Sequence, residues 1–99
     1  MDVDVVWSPN AERDLDEIAA YISNDSRNYA ASFVTRVWRV CKQLRLFPQS
    51  GRTVPEFNDS ALRERIIMQY RLIYRFRGND VLILALLHGR RLLPESFDT

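Results

Sequence analysis

The chain is poor in the residue types that build metal sites, disulfides and phosphate-binding loops. Its 99 residues include one cysteine, Cys41, one histidine, His88, and three glycines. A single cysteine forms no intramolecular disulfide, and one cysteine with one histidine does not make a structural zinc site. The glycines do not form a phosphate-loop pattern. We therefore expect neither a metal nor a cofactor.

Long apolar segments are also missing. The longest apolar run, Val81–Leu87, is far shorter than the roughly 20 residues that a membrane helix needs. The N-terminus is acidic and has no apolar stretch of the signal-peptide kind. These features predict a cytoplasmic protein without a membrane partner. Length and an ordinary composition, with 46% hydrophobic and 27% charged residues, predict one globular domain over residues 1–99.

Lysine is almost absent, because Lys42 is the one lysine among 14 basic residues. The net charge of +1 hides an uneven distribution: residues 1–25 carry a net −6, residues 26–77 a net +8 and residues 78–99 a net −1. The planar guanidinium fork suits phosphates and carboxylates, so the arginine bias suggests contacts with anions. A solvated charged face, or a genomic bias towards arginine codons, explains the same composition.

Two helices are predicted after a short first strand. Residues 1–7 alternate valine and tryptophan with acids, as in a half-buried strand. Ser8 and Pro9 supply a cap and a first-turn proline for the helix that follows. An apolar stripe predicts a second helix from about Asn28 to Phe47. The short link between the helices predicts an αα-hairpin.

Three strands follow the helices. They are predicted at Leu62–Met68, Tyr70–Arg77 and Val81–Leu87, with a two-residue turn at Gly78-Asn79. The last strand lacks polar alternation, which predicts a central strand covered on both faces. The order β-α-α-β-β-β predicts an α+β fold in which the helical hairpin packs on a four-stranded, mostly antiparallel sheet.

Alternation along the middle strand separates its side chains into two sets. Tyr70, Leu72, Tyr74 and Phe76 are predicted to face the helices, and Arg71, Ile73, Arg75 and Arg77 to form an exposed face. Alternation also places Arg63 and Arg65 on one face of the preceding strand and turns Glu64 away from them. We expect the arginines of the two strands to converge on one face of the sheet. Binding to a partner and a merely solvated face are the two interpretations of this set.

Seven short motifs, in this order and spacing, resemble the ParE branch of the RelE/ParE superfamily of plasmid-stabilisation toxins. They are Trp7–Ala11, Asp14–Ile22, Leu46–Arg52, Val54–Phe57, Leu62–Arg65, Tyr70–Arg75 and Leu87–Arg91. The resemblance covers about 90 residues. It implies a bacterial toxin that is neutralised by a ParD-like antitoxin in a hetero-oligomer. ParE-type members inhibit DNA gyrase, whereas RelE-type members cut messenger RNA on the ribosome.

The resemblance implies three candidate functions. The first is gyrase inhibition by binding, with target contacts at Arg63, Arg65, Arg71, Arg75, Arg77, His88, Arg90 and Arg91. The second is a ribosome-dependent messenger-RNA endonuclease. Such an enzyme needs charge stabilisation and proton transfer. Arg65, Arg71, His88 and Arg90 are its candidate catalytic residues, with Glu64 as another possible base. The third is a degenerate member that binds antitoxin without toxicity.

Three further residues have two interpretations each. His88 is either a proton donor or partner contact, or a strand-terminal histidine that fixes the C-terminal turn. Trp38 and Tyr21 lie at the flanks of their helical stripes. They are either aromatic residues at the edge of the core or anchors for the antitoxin, because tryptophan and tyrosine are frequent in binding hot spots.

Overall fold

The computed structural model of the protein describes residues 2–97, and six of its seven elements correspond to those that the sequence predicts. In chain order they are β1 (Asp4–Trp7), α1 (Pro9–Asp25), α2 (Arg27–Leu46), β2 (Arg52–Thr53), β3 (Leu62–Ile67), β4 (Tyr70–Phe76) and β5 (Asp80–His88). The predicted α+β fold with a helical hairpin on the sheet is confirmed. The sheet has five strands rather than four, because residues 47–61 between α2 and β3, which we call the connector, contribute the short β2. Residues 1, 98 and 99, which belong to the predicted domain, lie outside the described residues.

The strands follow the order β1-β5-β4-β3-β2 across the sheet. Strand β1 pairs in parallel with β5, and the other neighbours are antiparallel. The predicted central position of the last strand is therefore confirmed: β5 lies between β1 and β4. Its residues Val81–Leu84 are buried, because apolar side chains cover both faces of the sheet there.

Serine side chains begin both helices. The hydroxyl of Ser8 accepts a hydrogen bond from the backbone N–H of Ala11 at 3.1 Å, and Pro9 occupies the first turn. The hydroxyl of Ser26 accepts one from the N–H of Tyr29, also at 3.1 Å. Ser26 is the one residue between the helices, so the chain reverses sharply into the predicted αα-hairpin.

The larger core lies between the helices and the sheet. Phe33, Val37 and Leu44 of α2 are fully buried there against Leu72 and Tyr74 of β4. The predicted inward set of β4 is confirmed, since Tyr70, Leu72 and Tyr74 are buried in this core and Phe76 packs at its edge.

The outer face of the sheet is not exposed, contrary to the sequence-based expectation. Ile73 of β4 is fully buried in a second core with Val54 and Leu62. Phe57 of the connector and Phe97 near the C-terminus pack against this core with their rings 5.7 Å apart. Alternation gave the direction of each side chain but did not reveal that two irregular segments cover this face.

A register shift in β5 attaches the start of α1 to the sheet. Ile73 pairs with Ala85 and Tyr74 with Ile83, so Leu84 is an extra residue in the ladder. The carboxylate of Asp14 accepts a hydrogen bond from the N–H of Leu86 at 3.0 Å. A side chain of α1 thus satisfies a backbone donor next to the irregularity, which fixes α1 over β5.

Candidate functional site

Arg71 lies under the connector, bonded to two carboxylates. Its guanidinium Nε donates to Glu64 at 2.6 Å, and its two terminal nitrogens donate to Glu56 at 2.8 and 2.9 Å. The side chain of Glu64 is fully buried and that of Arg71 is 8% exposed. Glu64 also accepts from Nε of Arg52 at 2.5 Å. Burial of these charges is tolerable because each is paired and hydrogen-bonded.

The electrostatic effect of this network is largest at Glu56. The hydrogen bonds from Arg71 lower the pKa of the Glu56 carboxyl group to about 2. The same contacts raise the pKa of Arg71 above its ordinary value, with the bonds to Glu56 as the main cause. Glu56 belongs to the connector, so the network fixes this segment on the sheet.

Arg75 and Arg77, the other two arginines predicted on the exposed face of β4, also have partners within the chain. Arg75 donates to Asp59 of the connector at 2.8 Å, and the bond lowers the pKa of that carboxyl group. Arg77 pairs with Asp80 at 2.5 Å across the β4–β5 turn. The expectation that these arginines form a free basic face is therefore wrong. Carboxylates of the same chain neutralise them.

The expected convergence of arginines from β3 and β4 is wrong for a second reason. Directly paired residues of antiparallel strands point to the same face. Glu64 pairs with Ile73, so it lies on the outer face beside Arg71. Arg65 pairs with Leu72 and therefore points to the helix side. Alternation within one strand was predicted correctly, but the register between the strands was not.

Arg63 and Arg65 are held by neutral oxygen atoms. The guanidinium of Arg63 donates to the backbone carbonyl groups of Ser60 at 2.8 Å and Gly51 at 3.1 Å. That of Arg65 donates to Ser50 Oγ at 3.2 Å and to Gln43 Oε1 at 2.6 Å. Both side chains are thus positioned, and no carboxylate of residues 2–97 compensates their charge.

His88 ends β5 and contacts its own turn. Its Nδ1 accepts a hydrogen bond from the N–H of Arg90 at 3.1 Å, and its carbonyl accepts one from the N–H of Arg91 at 2.9 Å. Its ring lies edge-on to that of Tyr70 at 5.5 Å. These contacts match the interpretation of His88 as a residue that fixes the C-terminal turn. Arg90 and Arg91 are exposed.

The candidate nuclease residues do not come together. Arg71 is on the outer face, whereas Arg65 and His88 are on the helix side. His88 is on β5 and Arg65 on β3, so β4 lies between them. Glu64, the other possible base, is buried and bonded to two arginines. No single phosphate can contact this set.

Trp38 is at the rim of a cleft between α2 and β1. Its ring centroid is 6.3 Å from that of Trp7, and its side chain remains about half exposed. Val6 and the buried Cys41 also line the cleft, and Lys42 and Arg45 extend its rim. Burial raises the pKa of the Cys41 thiol to about 11, which keeps it protonated. Strand β1 is the edge of the sheet here, so the cleft lies beside an unpaired strand edge.

Tyr21 lies elsewhere on the helical hairpin. It is 69% exposed, and electrostatic contacts link it and Tyr29 to Tyr70. Tyr21 is on α1, whereas Trp38 is on α2 beside β1.

The sequence reasoning missed Glu56 and Asp59 as structural partners of arginine. One signal was available: residues 26–77 contain three acids, Glu56, Asp59 and Glu64, and all three pair with arginine. A few acidic residues within a strongly basic segment indicate ion pairs with arginines of the same chain. Trp7 and the exposed arginines of α2, Arg36 and Arg39, were also not selected.

Neither a metal cluster nor a membrane helix occurs in the part of the chain that the structure describes. No group of three or more histidine, cysteine, aspartate or glutamate side chains there could hold a metal ion. Within residues 2–97, no helix is both long and apolar enough to cross a membrane.

Comparison with known proteins gives a consistent family. Residues 5–93 match the family described as ParE toxin of type II toxin-antitoxin system, parDE. The chain is 33% identical over 90 residues to "Putative toxin Y4kP" of Sinorhizobium fredii (strain NBRC 101917 / NGR234), covering 90% of this chain and 91% of that protein. A solved structure titled as a chromosomal ParDE TA system from P. aeruginosa is similar in fold, with a TM-score of 0.69 at 20% identity. That match covers 87% of this chain and 95% of the other.

Proposed function

The chain belongs to the ParE toxin family of type II toxin-antitoxin systems, and from this premise we propose that it inhibits DNA gyrase by binding. A ParD-like antitoxin neutralises it in a hetero-oligomer in the bacterial cytoplasm. The protein acts stoichiometrically, by binding rather than by turnover. Of the predicted target contacts, Arg63, Arg65, Arg90 and Arg91 have guanidinium charges that no carboxylate of the described residues compensates.

The observation that carries the choice of binding over RNA cleavage is the pairing of Arg71 with Glu56 and Glu64. A metal-independent ribonuclease stabilises the charge that develops on the phosphate with free cationic groups. The guanidinium of Arg71 already donates hydrogen bonds to two carboxylates, and its side chain is almost completely buried. A phosphate at this position would meet two negative charges as well as the guanidinium. The site therefore opposes the chemistry that the nuclease alternative requires.

The proposal is tested with purified protein in a plasmid supercoiling assay. We expect inhibition of gyrase at a near-stoichiometric ratio, while total messenger RNA stays intact when the toxin is induced in cells. Transcripts cut within codons, together with unaffected supercoiling, would contradict the proposal and favour the endonuclease. Absence of growth arrest upon expression without antitoxin would favour the degenerate member.

A His88→Ala variant separates the two activities further. His88 fixes its own turn through its backbone carbonyl and Nδ1, so the variant should change gyrase inhibition by no more than about twofold, as is usual for exposed positions. Thermal unfolding confirms that the variant is folded. Complete loss of toxicity in a folded His88→Ala protein would instead indicate proton transfer.

For the antitoxin we propose an anchor in the cleft of Trp7 and Trp38. The support is a half-exposed tryptophan beside an unpaired strand edge, a combination that suits an extended segment with an apolar side chain. Tyr21 is proposed as a separate contact on the hairpin. The test is co-purification of Trp38→Ala with the antitoxin from the neighbouring reading frame, with Leu92→Ala as an exposed apolar control. Equal retention of antitoxin by both variants would rule out the cleft.

A further inference from the structure

The outer surface of α2 carries a row of cations without compensating acids. The helix contains five basic residues and no acidic residue. Arg36, Arg39, Lys42 and Arg45 follow one another at steps of three, so each is next to the previous one on the helix surface. The row winds half a turn around α2, from the groove beside β3 to the cleft beside β1. Arg45 contacts Asp2 at 3.7 Å. Among the residues that the structure describes, Arg36, Arg39 and Lys42 have no carboxylate partner.

Strand β3 adds to this row from the side. A groove separates α2 from β3, and we call it the basic groove after Arg36, Arg39, Gln43 and Arg65, which line it. Arg65 is held there by Gln43 Oε1 and Ser50 Oγ, both neutral acceptors. Its rotamer is therefore fixed before any ligand arrives. A guanidinium that is fixed but not neutralised is well suited to bind an external anion.

The size and lining of the groove limit what can enter it. Its volume is about 190 Å³, below the roughly 300–1,000 Å³ that is usual for small-molecule pockets. A single protruding anionic group fits such a space, whereas a helix or a strand does not. None of the side chains lining the groove is aromatic, so an unpaired base would find no ring on which to stack.

We propose that the basic groove and the adjoining row on α2 bind the phosphate backbone of duplex DNA. Cations along one helix are the usual electrostatic footprint of nucleic-acid binding. A duplex presents phosphates at regular intervals, which matches cations repeated along α2 better than a short acidic peptide would. Residues 1–25 carry a net −6, so they would repel a duplex, whereas residues 26–77, with a net +8, would attract it. This activity is separate from gyrase inhibition, and its test contains no gyrase.

The test is fluorescence anisotropy of a labelled duplex of about 20 base pairs, titrated with the full chain at about 50 mM NaCl and at higher salt. The variant Arg36→Gln/Arg39→Gln is compared with Arg13→Gln/Arg91→Gln, which removes the same charge from exposed positions on α1 and after β5. We expect the first variant to bind about tenfold more weakly at low salt and to lower the slope of log affinity against log salt by about 2. The control should retain nearly the wild-type affinity.

Three outcomes would overturn the proposal. The first is absence of binding by the wild-type chain at low salt. The second is equal weakening in the two variants, since the effect would then reflect net charge alone. The third concerns competition for the labelled duplex by poly-L-glutamate and by unlabelled duplex, compared at equal concentrations of negative charge. If poly-L-glutamate displaces the labelled duplex as well as unlabelled duplex does, an acidic protein segment is the better occupant. Melting curves for both variants verify that a loss of binding is not a loss of folding.

Discussion

Arg71 and Arg65 lie on neighbouring strands of one sheet, yet their environments differ completely. Arg71 is buried on the outer face between the carboxylates of Glu56 and Glu64. Arg65 points to the helix side, where Ser50 and Gln43 hold it without neutralising it. The same side chain thus serves stability in one position and leaves its charge available to a partner in the other.

The comparison shows that a count of arginines does not locate a binding surface. What separates the two faces is the chemistry of the acceptor that each guanidinium finds. A carboxylate neutralises the charge of the guanidinium, whereas a carbonyl, hydroxyl or amide oxygen only orients the side chain. Substitutions on the two faces should therefore affect different quantities: the free energy of unfolding on the outer face, and binding on the helix side.

The largest effect on stability is expected for Arg71→Ala. Removal of one partner from a buried ion pair leaves the charge of Glu64 short of compensation, which typically costs about 3–5 kcal/mol of the free energy of unfolding. Urea denaturation measures this loss. A double variant, Glu64→Leu/Arg71→Met, should recover most of it, because apolar side chains of similar size often replace buried ion pairs without net cost. A loss below about 1 kcal/mol for Arg71→Ala would contradict the buried network.

The second-largest effect on the free energy of unfolding is expected from low pH, which weakens the ion pairs of the outer face. The folded-state pKa of Glu56 is about 2, below its ordinary value of 4.5. A carboxyl group with a lowered pKa contributes stability above its unfolded-state pKa and loses it as the pH falls through the folded-state value. Stability should therefore decline between about pH 4.5 and pH 2. Denaturation midpoints measured across this range should fall less steeply for Glu56→Gln, and identical slopes would exclude a contribution of Glu56.

A smaller effect is expected for Arg75→Ala. Its partner Asp59 is 41% exposed and Arg75 itself is 25% exposed, so water screens this pair. The free energy of unfolding should fall much less than for Arg71→Ala, as is usual for solvent-exposed pairs. Calorimetric melting against the wild type measures the change. A loss as large as that of Arg71→Ala would mean that exposure is not what separates the two pairs.

The smallest effect on stability is expected for Arg65→Ala, even though Arg65 makes two hydrogen bonds. Both bonds go to neutral acceptors at a partly exposed site, where water replaces them easily, so their loss should cost less stability than the loss of the Arg75 ion pair. Binding should respond more than folding does, which anisotropy with duplex DNA and chemical denaturation measure side by side. A variant that loses stability but not binding would reverse the assignment of the two faces.

Local patterns were sufficient for the elements and for much of the fold. Ser8 and Pro9 marked the start of α1, and the apolar run Val81–Leu87 marked the central strand. Each of these signals depends on residues close together in the chain. The family likeness rested on short motifs of the same local kind, and the comparisons confirm it.

The chemistry of the outer face could not be predicted because it depends on long-range register. Nothing in the sequence of β3 states that Glu64 will lie opposite Ile73, beside Arg71. No local pattern in the connector predicts that Glu56 will fold back across the sheet. A shift of one residue would have placed Glu64 on the helix side, as alternation within the strand alone suggested.

The parallel pairing of β1 with β5 has a consequence for biosynthesis. It joins Asp4 to Asp80, so the first strand is synthesised long before its partner exists. Such distant contacts form late, because a long chain must be closed before they contribute any stability. A nascent chain that lacks residues 80–88 has no central strand on which the helices and β1 can assemble. The helices and β1 therefore reach their final packing on the sheet only after β5 has left the ribosome.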